Sequence, residues 1–178
     1  MTRADHSTGT DRLAEAAQSF PDADLIVNVQ GDEPLINPAL IDQLITAFDG
    51  DDQLSMATVA VELTEQSEID NPNNVKVVAD RNGYALYFSR APIPFERNKG
   101  KSKVFKHIGI YAYRREFLLE YASMAPTPLE QSESLEQLRA LENGHKIKVL
   151  ISADKFIGVD TEDDLILVNK IYSEVSHE

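Results

Sequence analysis

The sequence predicts an α/β fold on three observations. Segments with strand and helix periodicity alternate along 178 residues. A short apolar, β-branched strand runs into a Gly-Asp-Glu loop and then a capped helix. No long linker or internal repeat divides the chain. The strand is Leu25-Ile26-Val27 with Val29, the loop is Gln30-Gly31-Asp32-Glu33-Pro34, and Leu40, Ile41, Leu44, Ile45 and Phe48 recur at helical spacing behind it. Asn37 is a good N-cap and Pro38 suits the first helical position. In open α/β sheets ligands bind at the carboxyl ends of strands, where Asp32 and Glu33 are expected.

The other elements follow in order. Residues 11–20 are rich in good helix formers and predict a helix before that strand. Residues 54–63, with Met56, Val59 and Val61, predict a strand. Residues 74–79 and 84–88 flank Asp80-Arg81-Asn82-Gly83 and predict a hairpin, with Asn-Gly supplying positive φ angles at the turn. This hairpin, spanning 74–90, interrupts the βα alternation. Residues 96–106 carry the concentrated basic run and read as a solvated, mobile loop. A strand over 107–113 feeds a helix over 115–121. Thr127-Pro128-Leu129-Glu130 has a capping-box pattern that opens one helix through Leu135, Leu138 and Leu141 to Asn143-Gly144. Residues 146–151 and 156–159 read as short strands, and a last helix follows Asp160-Thr161 through Val168 and Ile171.

Composition bounds the function. With 42% hydrophobic residues the chain has material for one domain with a core. A net charge of −13 argues against a general nucleic-acid binder, which needs clustered Lys and Arg. An acidic protein still binds nucleotides through Mg2+. The chain has no cysteine, so thiolate chemistry and disulfides are excluded. No apolar run approaches membrane-spanning length and no signal peptide is seen, so the expectation is a soluble, cytoplasmic protein without membrane contact.

Two carboxylates at the ends of different parallel strands suit a hard cation, since Mg2+ takes one or two carboxylates together with substrate phosphates. Asp32 and Asp160 are that pair, with Glu33 as a supporting or solvent residue. Asp160 read alone is also a plain dipole partner for the last helix. His107 opens an apolar strand, where its imidazole could donate to an anionic or hydroxyl-rich ligand, or simply end the strand. Glu136 and Gln137 lie in a leucine-rich helix, where solvent-facing positions are the common outcome. Arg90 follows a strand and could clamp a carboxylate bidentately. No P-loop, zinc-spaced Cys/His cluster or nucleophile elbow occurs.

Together, these stretches resemble the 3-deoxy-manno-octulosonate (Kdo) cytidylyltransferases, also called CMP-Kdo synthetases. The resemblance is carried by Val27-Asn28-Val29-Gln30-Gly31-Asp32-Glu33-Pro34; Thr2-Arg3-Ala4-Asp5-His6 with Gly9-Thr10-Asp11-Arg12; Tyr84-Ala85-Leu86-Tyr87-Phe88-Ser89-Arg90; His107-Ile108-Gly109-Ile110-Tyr111; Leu135-Glu136-Gln137-Leu138-Arg139; and Gly158-Val159-Asp160-Thr161.

The resemblance implies a Rossmann-like nucleotide-diphospho-sugar transferase fold, a three-layer sandwich with the β-hairpin as an insertion. It implies transfer of CMP from CTP to Kdo for lipopolysaccharide synthesis, by a homodimer that uses Mg2+. Asp32 and Asp160 match the metal ligands. Arg3, Asp5, Ser7, Thr10 and Gln30 fall around the cytidine, and Arg90, His107, Tyr111, Glu136 and Gln137 around the sugar acid. The family's opening strand and its triphosphate-gripping loop, with Pro-Ala-Arg and Ser-x-Arg-Leu-Pro-x-Lys-like segments, are not in this sequence. The expectation is therefore one domain over 1–178, incomplete at the N-terminus. A cytidylyltransferase for another sugar acid and an inactive sugar-binding or dimerisation fragment are the alternatives.

Overall fold

In a computed structural model of the chain, residues 1–6, 8–31, 34–98, 100–154, 156, 158–159 and 161–175 are described. Asp32, Asp160, Ser7 and Glu33 lie outside the described residues. The elements are α1 Gly9–Gln18, β1 Leu25–Asn28, α2 Pro38–Thr46, β2 Met56–Leu63, α3 Gln66–Asp70, β3 Lys76–Ala79, β4 Ala85–Ser89, β5 Val104–Arg114, α4 Arg115–Ser123, α5 Pro128–Glu133, α6 Gln137–Glu142, β6 Ile147–Ser152 and α7 Glu162–Val175. The sheet runs β4-β3-β5-β2-β6, and β1 joins β5 on the same edge as β3.

The sheet is mixed rather than purely parallel. β5 pairs antiparallel with β1, β2 and β3, while β6 pairs parallel with β2. Because β1 and β2 both oppose β5, the strands β1, β2 and β6 point the same way, and their carboxyl ends share one end of the sheet.

Period-two alternation along the strands divides the core into two faces. Met56, Ala60, Val77, Phe88 and Tyr113 meet Ala14 and Ala17 of α1, Phe117, Leu118 and Tyr121 of α4, and Leu138 of α6. On the other face Ala57, Val59, Ile108, Ile110 and Ala112 meet Leu40, Leu44 and Phe48 at and just beyond α2. Helices on both faces of a sheet make three layers, as expected. The α2 signals act as read: Asn37 Oδ1 accepts from Ala39 N–H at 3.0 Å, with Pro38 at the first helical position. Among the described residues, no helix is long and apolar enough to cross a membrane.

Several sequence expectations change. β1 is half-buried at every position rather than buried, since it pairs with β5 on one edge alone among the described residues. The hairpin turn closes through Gly83 N–H to Asp80 C=O at 3.0 Å and Asp80 N–H to Tyr84 C=O at 2.8 Å. Only Gly83 takes a positive φ, +78°, so Asn82 does not adopt the left-handed conformation expected of an Asn-Gly turn. A three-residue loop with a bulge results. The basic segment loses its last residues, 104–106, to β5, where Phe105 and Lys106 pair with β2 and β3.

The helix expected from Pro128 to Asn143 is two helices, broken at Ser134 with φ 53° and ψ 51°. Leu135, Leu138 and Leu141 all follow the break, so their helical spacing held no sign of it. Residues 156, 158 and 159 are in no strand. A Ser152–Asp154 turn, with Asp154 N–H donating to Ser152 Oγ at 3.0 Å, redirects the chain after β6.

Candidate active site

β5 contains the bulge that shapes the site. Thr58 pairs with Tyr111, but the next residue, Val59, pairs with Ile108, so Gly109 and Ile110 are extra. Four residues along an extended strand span about 13 Å. The bulge shortens that path, and the His107 and Tyr111 rings lie with centroids 5.3 Å apart. Gly109 sits at the crossing, where an added Cβ would reach 4.0 Å from Gln30 Cγ.

Over the carboxyl end of β1, on the α1 face, lies a pocket of about 200 Å³. Thr10, Gln30, Tyr111, Glu136 and Gln137 all line it, together with Asn28, Met56, Tyr113 and Tyr121. Two residues placed by resemblance around the nucleotide thus meet three placed around the sugar acid. Asn28 shares a strand face with Ile26 and follows period two, a signal that could have found it. Thr58 was also missed; a hydroxyl inside the apolar run 54–63 was the available clue.

Glu136 is held at both ends. Thr10 Oγ1 donates to its carboxylate at 2.5 Å, and Tyr121 O–H donates to its carbonyl at 2.5 Å. The capping box of α1, Thr8 with Asp11, places Thr10 in the first turn of that helix. The break at Ser134 turns Glu136 and Gln137 inward. Gln137 is 6% exposed, and its Nε2 has no hydrogen-bond partner among the described residues. Below it, the buried Arg139 guanidinium grips the Glu130 carboxylate through Nε at 2.8 Å and through Nη2, and lies over the Tyr121 ring.

Burial pushes the Tyr111 and Tyr113 phenols well above their usual range, so both stay protonated. Burial also lowers His107 to about 3, so its ring is neutral at physiological pH. The ring stands edge-on to Phe88 at 5.2 Å, and its Nε2 lies 3.1 Å from Thr58 Oγ1. His107 is one ring along from the pocket, in contact through Tyr111.

Arg90 sits apart from the pocket lining. Its guanidinium donates to the carbonyls of Glu133 at 2.8 Å, Pro72 at 3.2 Å and Ser134 at 3.4 Å. Five N–H groups minus these three bonds leaves two donors without a partner among the described residues. Its backbone is fixed as well: Arg90 N–H donates to Glu133 Oε2, and the buried Lys76 Nζ donates to Arg90 C=O at 2.6 Å.

Arg3 and Asp5 line a separate depression against α1, where Arg3 Nε pairs with Glu15 at 3.0 Å. Of the acidic pair Asp32 and Asp160, neither is described. The loops that carry them do touch, since Asn37 Nδ2 reaches Asp154 Oδ2 at 3.5 Å, and Tyr172 of α7 donates to Pro34 C=O at 2.6 Å.

A mixed α/β sheet with a hydroxyl-lined pocket over the carboxyl end of a strand is an arrangement suited to nucleotide and sugar chemistry. The chain belongs to the cytidylyltransferase family, whose model matches residues 1–147. It is 53% identical over 165 residues to the 3-deoxy-manno-octulosonate cytidylyltransferase of Fusobacterium nucleatum, covering 93% of this chain and 67% of the relative. It is 55% identical over 177 residues to the enzyme of the same name from Pelobacter propionicus, covering 93% and 69%. Among solved structures, a CMP:2-keto-3-deoxy-manno-octonic acid synthetase complexed with CTP superposes with a TM-score of 0.91 at 42% identity, covering 98% of this chain and 71% of that one. The chain thus spans about two thirds of the length of these relatives.

Proposed function

We propose that this protein transfers CMP from CTP to Kdo, giving CMP-Kdo and pyrophosphate for lipopolysaccharide synthesis. The observation that carries the reading is the pocket in which Gln30 and Thr10 meet Tyr111, Glu136 and Gln137, in a chain so similar to a CTP-bound synthetase. In the reaction the anomeric hydroxyl of Kdo attacks the α-phosphorus of CTP. The new O–P bond forms as the bond to the β-phosphate oxygen breaks, and the hydroxyl proton is released. Gln30, two residues beyond the end of β1, faces the cytidine side, and Glu136 accepts from sugar hydroxyls while the protonated Tyr111 donates. Most of the rate comes from this positioning.

Asp32 and Asp160 are the residues that would hold Mg2+, as two carboxylates on touching loops have the chemistry that ion takes. When bound, the ion offsets charge developing on the transferred phosphate. The two N–H groups of Arg90 that have no partner among the described residues suit the sugar carboxylate. We also propose a cytoplasmic homodimer that uses the hairpin region, where Leu86 and Phe95 are exposed apolar side chains.

The test is pyrophosphate release from CTP with Mg2+, offered Kdo and competing sugar acids. Kdo-dependent release with CMP-Kdo as product supports the reading. Release with no preference for Kdo over another sugar acid overturns the substrate, and absence of release in any combination overturns the activity.

A further inference from the structure

Thr58 is fully buried beneath the bulge of β5. Its Oγ1 lies 2.8 Å from the carbonyl oxygen of Ile110, 3.1 Å from that of Ile108, and 3.1 Å from His107 Nε2. A carbonyl oxygen can only accept, and a hydroxyl owns one proton. That proton is directed at the bulge carbonyls, so the side of the oxygen facing His107 presents a lone pair. The ring nitrogen facing Thr58 must then be the protonated one. A neutral imidazole carries a single N–H, which leaves the opposite nitrogen as an acceptor. His107 Nδ1 has no hydrogen-bond partner among the described residues, and the ring is in contact with Tyr111 of the pocket.

We infer that Thr58 is a positioning residue that fixes His107 as the Nε2–H tautomer, so that Nδ1 accepts a hydrogen bond from a hydroxyl of the sugar acid and repels its carboxylate. The inference deepens the proposed function and rests on it for the identity of the sugar. Recognition of the acidic and hydroxylated parts of the ligand is thereby divided: the carboxylate has no place at His107, and the hydroxyl has no competitor there. The bulge supplies the means. A regular β2–β5 ladder would satisfy these carbonyls with backbone N–H groups and leave the threonine proton free to point at the imidazole, reversing the polarity of the ring.

The tautomer is read by long-range 15N–1H spectra of the full chain labelled at histidine, with His107 assigned through its loss in His107→Gln. At pH 7 the proton is expected on Nε2 in the wild-type chain and in Thr58→Ser, and shared between the two nitrogens in Thr58→Val. A proton on Nδ1 in the wild-type chain, or an unchanged spectrum in Thr58→Val, overturns the inference. The wild-type spectrum decides this even if Thr58→Val does not fold.

In steady-state kinetics Thr58→Val should raise KM for Kdo about tenfold, the size of one hydrogen bond. The KM for CTP should not change, and Thr58→Ser should restore both values. The penalty should vanish with one deoxy analogue of Kdo and persist with the carboxamide analogue; the reverse pattern overturns the inference. The tautomer needs no substrate. Failure of the wild-type chain to transfer CMP to Kdo therefore defeats the functional reading and is distinct from failure of the tautomer assignment.

Discussion

Thr10 and Glu136, 126 residues apart in sequence, are joined by a 2.5 Å hydrogen bond from the threonine hydroxyl to the carboxylate. The bond ties the first turn of α1 to the turn between α5 and α6. It sets where the one carboxylate among the described pocket-lining residues stands. With Tyr121 holding the Glu136 carbonyl, the residue has little freedom to swing away.

Thr10→Val keeps the shape of the side chain and removes this bond. Stability should fall by about 1 kcal/mol and KM for the sugar acid should rise roughly tenfold. Urea unfolding and steady-state kinetics check the two effects. An unchanged KM beside the expected loss of stability would show that Glu136 does not meet the ligand.

Gln137 presents the opposite balance. Its amide nitrogen is buried without a partner among the described residues, a cost carried by the ligand-free protein. Gln137→Leu should therefore stabilise the ligand-free chain by about 1 kcal/mol while weakening sugar-acid binding about tenfold or more. Thermal unfolding and titration with the sugar acid measure both. A destabilised variant that binds normally would sink the assignment of Gln137 to the site.

The Glu130–Arg139 pair supports the turn from below, with both side chains buried. Arg139→Met should cost about 3–5 kcal/mol by stranding a buried carboxylate, and adding Glu130→Met should recover most of it. Burial alone would raise the Glu130 carboxyl. The Arg139 fork and the Thr127 N–H outweigh it and leave the group below its ordinary value of 4.5. A lowered folded-state value means this contribution is fully present above the ordinary carboxylate range and is lost as pH falls through the lowered value. Denaturation midpoints of the double variant should accordingly be less sensitive to acid below pH 4.5 than those of the wild-type chain.

His107 acts in a higher window. Its value falls from 6.5 to about 3 on folding, so between these limits the unfolded chain binds a proton that the folded chain refuses. Stability should then decline as pH drops from 6.5 toward 3, by up to about 1.4 kcal/mol per pH unit from this group. His107→Gln lacks that slope. Parallel stability curves for the two proteins between pH 6.5 and 4.5 would place the imidazole in a solvated environment.

The sequence made α2 legible because its cap and first-position proline are local signals, and both act as read. It did not reveal the break at Ser134, because Leu135, Leu138 and Leu141 all follow the break and the left-handed turn is stabilised from a distance. Arg90 takes the Glu133 and Ser134 carbonyls, and Tyr121 takes that of Glu136. The bulge in β5 was hidden for a similar reason: two extra residues leave the in-out alternation intact, so Ile108 and Ile110 still look like consecutive core positions. Residues recognised as a set by resemblance therefore had identities but no geometry. Local pattern could not say that Thr10 and Glu136 touch, or that Arg3 turns toward Glu15.

β5 also governs how the molecule comes together. β1, the β2–β6 pair and the β3–β4 hairpin each dock on β5, and apart from one bridge between Tyr84 and Lys148 they share no ladder with one another among the described residues. β1, β2 and the β3–β4 hairpin all precede the strand they pair with, which begins at Val104, and β6 comes later still, so most of the loop-closure entropy is met before the long-range pairings return stability. Slow, concerted folding follows, with amide protons of β1, β2 and β5 exchanging through a common opening.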